Sequence, residues 1–222
     1  MPDNAGSVRI ARLVAAPIVI TLLITLLRLE GELHQGSSVL FNRNAGGVGA
    51  IVGIAWLPFI FGPYFAARLA RAGERPAGNG RVLLFAAVGL IVTIGAGLIS
   101  SRTPEGTLSG TALIGLLLMV AAVIVQLMAW GALGKTLLAY AFGARIPVAI
   151  VMFYAMRGNW GTHYDALPGG YAGPADFTGK YVNMALIPQF IGWIDYTMVI
   201  GTLAAGVYLL IAHRSRAAVQ PA

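Results

Sequence analysis

Six long apolar runs divide the chain, and the basic residues flank these runs on alternate sides. If Arg9 and Arg12 are assigned to the cytoplasm, ten Lys and Arg residues fall on the cytoplasmic side and five on the opposite side. The ten are Arg9, Arg12, Arg68, Arg71, Arg75, Arg81, Lys135, Arg145, Arg214 and Arg216, and the five are Arg28, Arg43, Arg102, Arg157 and Lys180. Because basic loops resist translocation, this bias predicts a polytopic membrane protein with both termini in the cytoplasm.

The composition favours the same class of fold. Of the 222 residues, 58% are hydrophobic and 10% are charged, whereas a soluble domain carries roughly 25% charged residues. We therefore expect one all-α integral-membrane domain over residues 1–222, a helical bundle in a bacterial inner membrane. The net charge of +7 lies beside the apolar runs, where it indicates contact with the lipid bilayer and its anionic headgroups rather than with nucleic acid. The chain has no cysteine, which excludes disulfides and any Cys-ligated cofactor.

The apolar runs have the length that a membrane span requires, since a bilayer core about 30 Å thick needs roughly 20 helical residues. The six predicted spans are residues 13–29, 47–70, 82–100, 111–130, 136–156 and 187–212. No small-x-small cleavage site follows the first run, so we expect an uncleaved helix there rather than a signal peptide. The start of the fifth span is open. A start near Thr136 puts Arg145 in the bilayer, a start at Ile146 leaves the span too short, and a third alternative lays residues 135–143 along the interface.

Two segments on the outer side, residues 30–46 and 157–183, are long for loops that connect helices. The second contains five aromatic residues, which argue against disorder. These are Trp160, Tyr164, Tyr171, Phe177 and Tyr181. We expect this loop to form an ordered extracytoplasmic cap over the outer ends of the helices.

Charged and polar side chains gather where the first span ends. Glu30, Glu32 and His34 alternate along the sequence, so all three point to one side if the segment is extended. If the helix continues, Arg28 pairs with Glu32 and Glu30 pairs with His34, because residues four apart are neighbours on a helix. Either geometry predicts a polar site at the outer mouth of the first span.

The cap loop supplies a second group of candidates, Asn159, Trp160, His163 and Asp165. The predicted topology puts it on the same side of the membrane as Arg28 and Glu32. Two histidines with nearby carboxylates suit a divalent metal ion, and the metal hypothesis uses Glu30, His34, His163 and Asp165. The same side chains are typical of substrate binding, of acid–base chemistry with His163 as the titrating group, or of a structural network that satisfies buried polar atoms.

Asp195 is an ionisable residue within the sixth span, which marks it as a functional candidate. We expect it to form a salt bridge that ties helices together, with Arg28 or Arg157 as counter-ion, or to act as a proton or ion relay. Trp193 and Tyr196 resemble an interfacial aromatic belt, which would put Asp195 near the outer surface. The pairs Gly49–Gly53 and Gly201–Ala205 have the spacing that lets helices approach closely in lipid. Their glycine-rich faces favour packing within one bundle, and also allow a membrane-protein partner or a homo-oligomer.

Three function classes fit these observations. The first is binding or transport of a small solute or ion at an outward-facing polar site formed by the candidates above. The second is an accessory subunit of a membrane complex. The third is a membrane-embedded enzyme that uses His34, His163 and the carboxylates, with or without a metal ion. We favour a non-enzymatic protein, because packing signals are plentiful and no motif for nucleophilic catalysis is present.

Overall fold

A computed structural model describes residues 9–47 and 49–217, with side chains as far as Ala212. Residues 1–8, Val48 and residues 218–222, which belong to the predicted domain 1–222, lie outside the described residues. The described chain is helical and contains no strand, as the sequence predicted. Its helices are α1 (Ile10–Leu33), α2 (Leu57–Arg71), α3 (Asn79–Ser100), α4 (Gly110–Ala129), α5 (Gly131–Gly158), α6 (Phe177–Tyr181) and α7 (Trp193–Ala217). A 3-10 turn covers Ala45–Gly47, and two π-helical turns, Val182–Leu186 and Pro188–Gly192, join α6 to α7.

Five helical segments are long and apolar enough to cross a membrane. They are Ile10–Leu33, Asn79–Ser100, Gly110–Ala129, Gly131–Gly158 and Phe177–Ala212. Their outer faces carry large apolar side chains, such as Ile91 on α3 and Leu117 on α4, each 69% exposed. Apolar surface on this scale requires a non-aqueous neighbour. These features indicate an integral membrane protein.

The predicted second span is shorter in the structure than in the sequence analysis. Only Leu57–Arg71 is helical, 15 residues, which is roughly 22 Å at 1.5 Å per residue. Residues 49–56 contain no helix, because the chain takes positive φ angles at Gly46, Gly47 and Gly49, and Pro58 sits in the first turn of α2. The expectation that Gly49 and Gly53 share a helix face was therefore wrong.

The fifth predicted span is one continuous helix, α5, and it begins at Gly131 rather than near Thr136 or at Ile146. Arg145 lies in its interior and is 3% exposed. The alternative that puts Arg145 inside the fifth span therefore agrees with the structure, whereas the count of Arg145 among the cytoplasmic residues and the alternative with residues 135–143 along the interface were wrong. Arg145 is stabilised inside the bundle by α7, because the centroid of the Trp193 ring lies 4.5 Å from the Arg145 guanidinium carbon.

α5 and the segment Phe177–Ala212, which includes most of α7, form the centre of the bundle. Half of the most apolar 18-residue stretch of each is buried, against 28% for α1 and 22% for α3 and α4. α2 packs on α7 where Gly62 faces the Gly201 backbone, so that any side chain at Gly62 would collide with the neighbouring helix. On the other side of α2, the Phe61 ring meets the buried Tyr140 ring of α5 edge to face, with centroids 5.2 Å apart. The small residue at position 201 thus serves packing within the chain.

The predicted cap loop is ordered and ends earlier than expected, because helix α6 begins at Phe177. Asp165 shapes its first turn by accepting hydrogen bonds from the backbone N–H groups of Gly161 and Thr162, at 2.9 and 2.7 Å. The Tyr164 hydroxyl donates to the Thr25 carbonyl of α1 at 3.2 Å. The loop is thereby fixed against the end of α1, where the sequence analysis placed its polar site.

Candidate functional site

A buried carboxylate joins the end of α1 to the cap loop. The Glu32 side chain is fully buried, and its Oε1 accepts hydrogen bonds from Arg28 Nε at 2.7 Å and from His163 Nδ1 at 2.6 Å. Its Oε2 accepts the backbone N–H of His163 at 2.8 Å. α1 remains helical through Leu33, so the i,i+4 pairing of Arg28 with Glu32 is confirmed. Three of the predicted site residues therefore meet at one point.

This contact fixes the proton on the His163 ring. A carboxylate only accepts hydrogen bonds, so Nδ1 carries the hydrogen and Nε2 is left as an acceptor. Burial lowers the pKa of His163, and the Arg28 charge lowers it further, against the opposing effect of the hydrogen bond to Glu32. The imidazole is accordingly neutral at pH 7. Within residues 9–47 and 49–217, Nε2 has no hydrogen-bond partner.

Arg28 and His163 border a cavity of about 160 Å³ inside this end of the bundle. We call it the basic cavity. A cavity of roughly 150 Å³ accepts a benzene-sized molecule. Its walls come from α1, the segment between α1 and α2, α5, the cap loop and the π-helical turns before α7. The lining residues are Ile24, Thr25, Arg28, Gly46, Gly47, Gly53, Ile54, Ala55, Arg145, Val148, Met152, His163, Tyr164, Ala166, Met184, Pro188, Gln189 and Trp193.

Arg145 forms the inner, charged wall of the basic cavity. Its Nη1 donates to Gln189 Oε1 at a long 3.4 Å, and its Nε is buried without a hydrogen-bond partner. No ion pair to Arg145 occurs in the described part of the chain. A guanidinium offers five N–H donors, and a buried charge normally pairs with an opposite one. The cavity therefore contains a cation for which no described residue provides the counter-charge.

Glycines keep space open beside the other arginine. Arg28 Nη2 donates to the Asn42 carbonyl at 2.7 Å, while Nη1 faces the backbone of Gly47 and Gly53. A Cβ at either glycine would lie 3.2 Å from Nη1. A Cβ at Gly47 would also lie 2.6 Å from the His163 ring. Glycine at these two positions therefore keeps side chains away from Nη1 of Arg28, a residue that lines the cavity.

The remaining candidates of the two loops lie outside the cavity. Glu30 and His34 form the predicted i,i+4 pair at 3.2 Å, but both side chains are exposed, 67% and 73%. Because α1 stays helical, Glu30 and Glu32 face different sides. Asn159 ends α5 in a left-handed conformation, with φ of 49°, and Trp160 is exposed beside Gly158. Asp165 shapes the turn that carries His163.

The predicted metal ligands are not brought together. Glu30 and His34 pair with each other at the surface, whereas His163 pairs with Glu32 in the interior and Asp165 bonds its own loop. Over the ranges that the structure describes, no group of three His, Asp or Glu side chains is placed to hold a metal ion. The alternation that predicted a shared site applies to an extended chain, and α1 is helical there.

Asp195 does not form the predicted salt bridge. Its Oδ2 accepts a hydrogen bond from Thr93 of α3 at 2.8 Å, and its Oδ1 is buried without a partner. The residue is fully buried among the helices. Arg28 is committed to Glu32 and Arg157 lies beside Phe153 and Phe177. Asp195 is not among the residues that line the basic cavity.

The sequence analysis missed the inner wall of the cavity. Arg145 was treated as a topology marker and Trp193 as part of an interfacial belt, and Gln189 was not among the candidates. One signal was available: a lone arginine inside a long apolar stretch, with no carboxylate four residues away on either side, indicates a functional interior position. The π-helical turns that carry Met184 and Gln189 to the cavity have no comparable signature, although such turns are frequent at functional sites.

Comparison of the chain with protein-family models, with curated proteins and with solved structures gave no match.

Proposed function

We propose that this membrane protein binds a small organic anion in the basic cavity, as a solute-binding or transport protein. The observation that carries the proposal is Arg145, a buried guanidinium without a counter-ion on the wall of a cavity. An anion with a carboxylate group would supply the missing charge and accept from Arg145 and from Arg28 Nη1. Arginine suits planar carboxylates, because its N–H groups match both oxygens.

The rest of the cavity favours an anion with an apolar body. Ile24, Val148 and Met152 form an apolar wall, and the Trp193 ring is already in contact with Arg145. A site with a few convergent polar groups in an apolar lining is the usual form of a small-molecule site. The volume suits an anion about the size of benzoate.

Titration of the purified protein in lipid nanodiscs tests this function. The probes are benzoate, benzyl alcohol and benzylamine, which share a ring and differ in charge. We expect benzoate to bind most tightly, and the Arg145→Gln variant to lose roughly tenfold to a hundredfold of the affinity for benzoate, since a hydrogen bond to a charged group contributes about 1.5–3 kcal/mol. Arg157→Gln changes an exposed arginine of the same helix and serves as the matched control. Equal affinities for the three probes, or unchanged binding in Arg145→Gln, would contradict the proposal.

The charge bias of the basic residues supports an orientation with both termini in the cytoplasm and the basic cavity towards the outside. Because the natural chain has no cysteine, single cysteines report the orientation directly. In intact cells, an impermeant maleimide should label His34→Cys, which is exposed beside the cavity, and should not label Arg75→Cys in the loop after α2. The reverse labelling pattern would contradict this orientation.

A second candidate function is hydrolysis of small carboxylic esters. The observation in its favour is the His163 ring, which Glu32 orients through Nδ1 and which leaves Nε2 available to take a proton from water. Water would attack the acyl carbon while Nε2 takes its proton, the bond between the acyl carbon and the alkoxy oxygen would break, and Nε2 would return the proton to the leaving oxygen. The alcohol would leave, and the acid product would ionise and lie as a carboxylate against the arginines. Release of phenol from phenyl acetate that His163→Asn abolishes and His34→Asn preserves would support an enzyme. Absence of turnover in a protein that binds benzoate favours the binding function.

A further inference from the structure

The opposite end of the bundle contains a second cluster of arginines, which the basic cavity does not explain. Arg9, Arg12, Arg68 and Arg71 line one open cleft of about 370 Å³ together with Leu13, Tyr64 and Ala72. We call it the arginine cleft. Arg12 and Arg28 are 16 positions apart on α1, roughly 24 Å along the helix axis. The two basic sites are therefore separate.

None of the four arginines of the cleft forms an ion pair within residues 9–47 and 49–217. Two of them come from the beginning of α1 and two from the last turn of α2, so the fold itself brings four like charges to one concave surface. Such an arrangement is unfavourable by itself, and a bound anion with more than one negative charge would relieve it. One guanidinium group donates two parallel hydrogen bonds to two oxygens of a phosphate, which makes phosphate the group best matched to the cleft.

The position of the cleft indicates where the phosphate comes from. Arg12 immediately precedes the apolar part of α1, and Arg68 and Arg71 end α2, so the guanidinium groups lie where the apolar surface of the bundle stops. Tyr64 lines the cleft and is 38% exposed, and Ile60, one turn nearer the start of α2 and further from the cleft, is 53% exposed. An apolar surface thus leads away from the cleft into the lipid region, as the acyl chains of a phospholipid would require. Basic pockets between membrane helices bind anionic headgroups in this way.

We propose that the arginine cleft is a binding site for an anionic phospholipid, whose phosphate lies among the four guanidinium groups and whose acyl chains follow the exposed face of α2. A lipid with two phosphates binds more tightly than one with a single phosphate, because it makes use of more of the arginines. The site is independent of anion binding in the basic cavity.

Native mass spectrometry of lipids retained by the detergent-purified protein tests the site. The probes are cardiolipin, with two phosphates, phosphatidylglycerol, with one, phosphatidylcholine, with no net charge, and inorganic pyrophosphate as a phosphate without acyl chains. We expect retention in the order cardiolipin, phosphatidylglycerol, phosphatidylcholine. The double variant Arg12→Gln/Arg68→Gln should weaken cardiolipin binding roughly tenfold to thirtyfold, given the usual contribution of a basic residue near an anionic surface.

The matched control is Arg102→Gln/Arg157→Gln, which removes two exposed arginines from outside the cleft. It should retain cardiolipin like the natural protein, and benzoate binding should be unchanged in the cleft variant. Equal retention of cardiolipin and phosphatidylcholine would overturn the proposal, as would equal losses in the two double variants. Pyrophosphate that competes as well as cardiolipin would overturn the lipid assignment and identify a soluble phosphate as the ligand.

Discussion

The two ends of the bundle both gather arginine side chains, but the basic cavity buries its charges and the arginine cleft exposes them. In the cavity, Arg28 is 7% exposed and bound to Glu32, and Arg145 is 3% exposed and has no counter-ion among the residues that the structure describes. In the cleft, four arginines line an open surface without any ion pair in the described chain. A buried charge strongly affects the stability of the fold, whereas an exposed charge is screened by water and salt. The cavity end should therefore respond to substitution far more than the cleft end.

The largest effect is expected at Glu32, which accepts hydrogen bonds from both Arg28 and His163. Glu32→Gln removes the negative charge and leaves the buried Arg28 guanidinium unpaired, at a cost of about 3–5 kcal/mol in the free energy of unfolding. The control Glu30→Gln changes an exposed carboxyl two residues away and should cost at most about 0.5 kcal/mol. Denaturant unfolding of both variants in the same detergent makes the comparison. Equal costs would mean that the buried network does not stabilise this end of the bundle.

Arg145 should give a change of the opposite sign. Arg145→Met replaces a buried cation that has no counter-ion with an apolar side chain of similar length, and we expect the protein without ligand to gain about 1–4 kcal/mol or to be unchanged. Binding of benzoate should be lost in the same variant. Thermal unfolding with and without benzoate measures both effects. A large loss of stability in Arg145→Met would show that Arg145 is needed for packing and would weaken the case for an anion site.

Acid should weaken the cavity end through His163. Burial lowers its pKa below the value of about 6.5 that it has in the unfolded chain, so in mild acid the unfolded state binds a proton before the folded state does. The free energy of unfolding should therefore fall as the pH drops below about 6.5, by at most about 1.4 kcal/mol per pH unit. His163→Asn should remove this part of the pH profile, and His34→Asn should leave it in place. A profile that His163→Asn does not alter would contradict the assignment.

The smallest effect is expected in the arginine cleft. Without lipid, Arg12→Gln and Arg68→Gln should each change the free energy of unfolding by less than about 0.5 kcal/mol, because both side chains are exposed and neither forms an ion pair with a described residue. Thermal unfolding in a neutral detergent checks this. A loss above about 2 kcal/mol in either variant would mean that the two ends of the bundle do not differ as their burial indicates.

The pairing at the cavity end shows how much local sequence rules could predict. Arg28 and Glu32 are four residues apart on one helix, so their contact followed from spacing alone once the helix was known to continue. The contact of His163 with Glu32 spans 131 positions. The predicted topology placed both segments on the same side of the membrane, which allowed this contact but did not predict it. Glu30 and Glu32 face different sides because α1 continues to Leu33. The residue pattern allowed either a helical or an extended segment there, so it could not predict this separation.

The errors have related physical causes. Residues 49–56 read as part of an apolar span, but glycines with positive φ angles and Pro58 prevent a helix there, and hydropathy does not record backbone angles. Arg145 was counted with the cytoplasmic residues although the predicted span 136–156 contains it, because burial of an arginine is costly. That cost is partly offset by Trp193 and Gln189, which are more than 40 residues away in the sequence. Asp195 accepts a hydrogen bond from the Thr93 hydroxyl of α3 rather than pairing with an arginine. This partner is also distant in the sequence, so spacing could not predict it.

Hydropathy and charge in the sequence determined the class of this protein: an all-helical chain whose apolar segments belong in a membrane. Hydropathy and charge are properties of short stretches of chain, so they can be read without knowing which helices pack against each other. The tertiary structure alone decided that Arg28, Arg145 and His163 surround one cavity, since α1, α5 and the cap loop meet there through contacts between distant residues. The chemistry of the site depends on which buried charges are paired, and pairing is settled only when the helices pack.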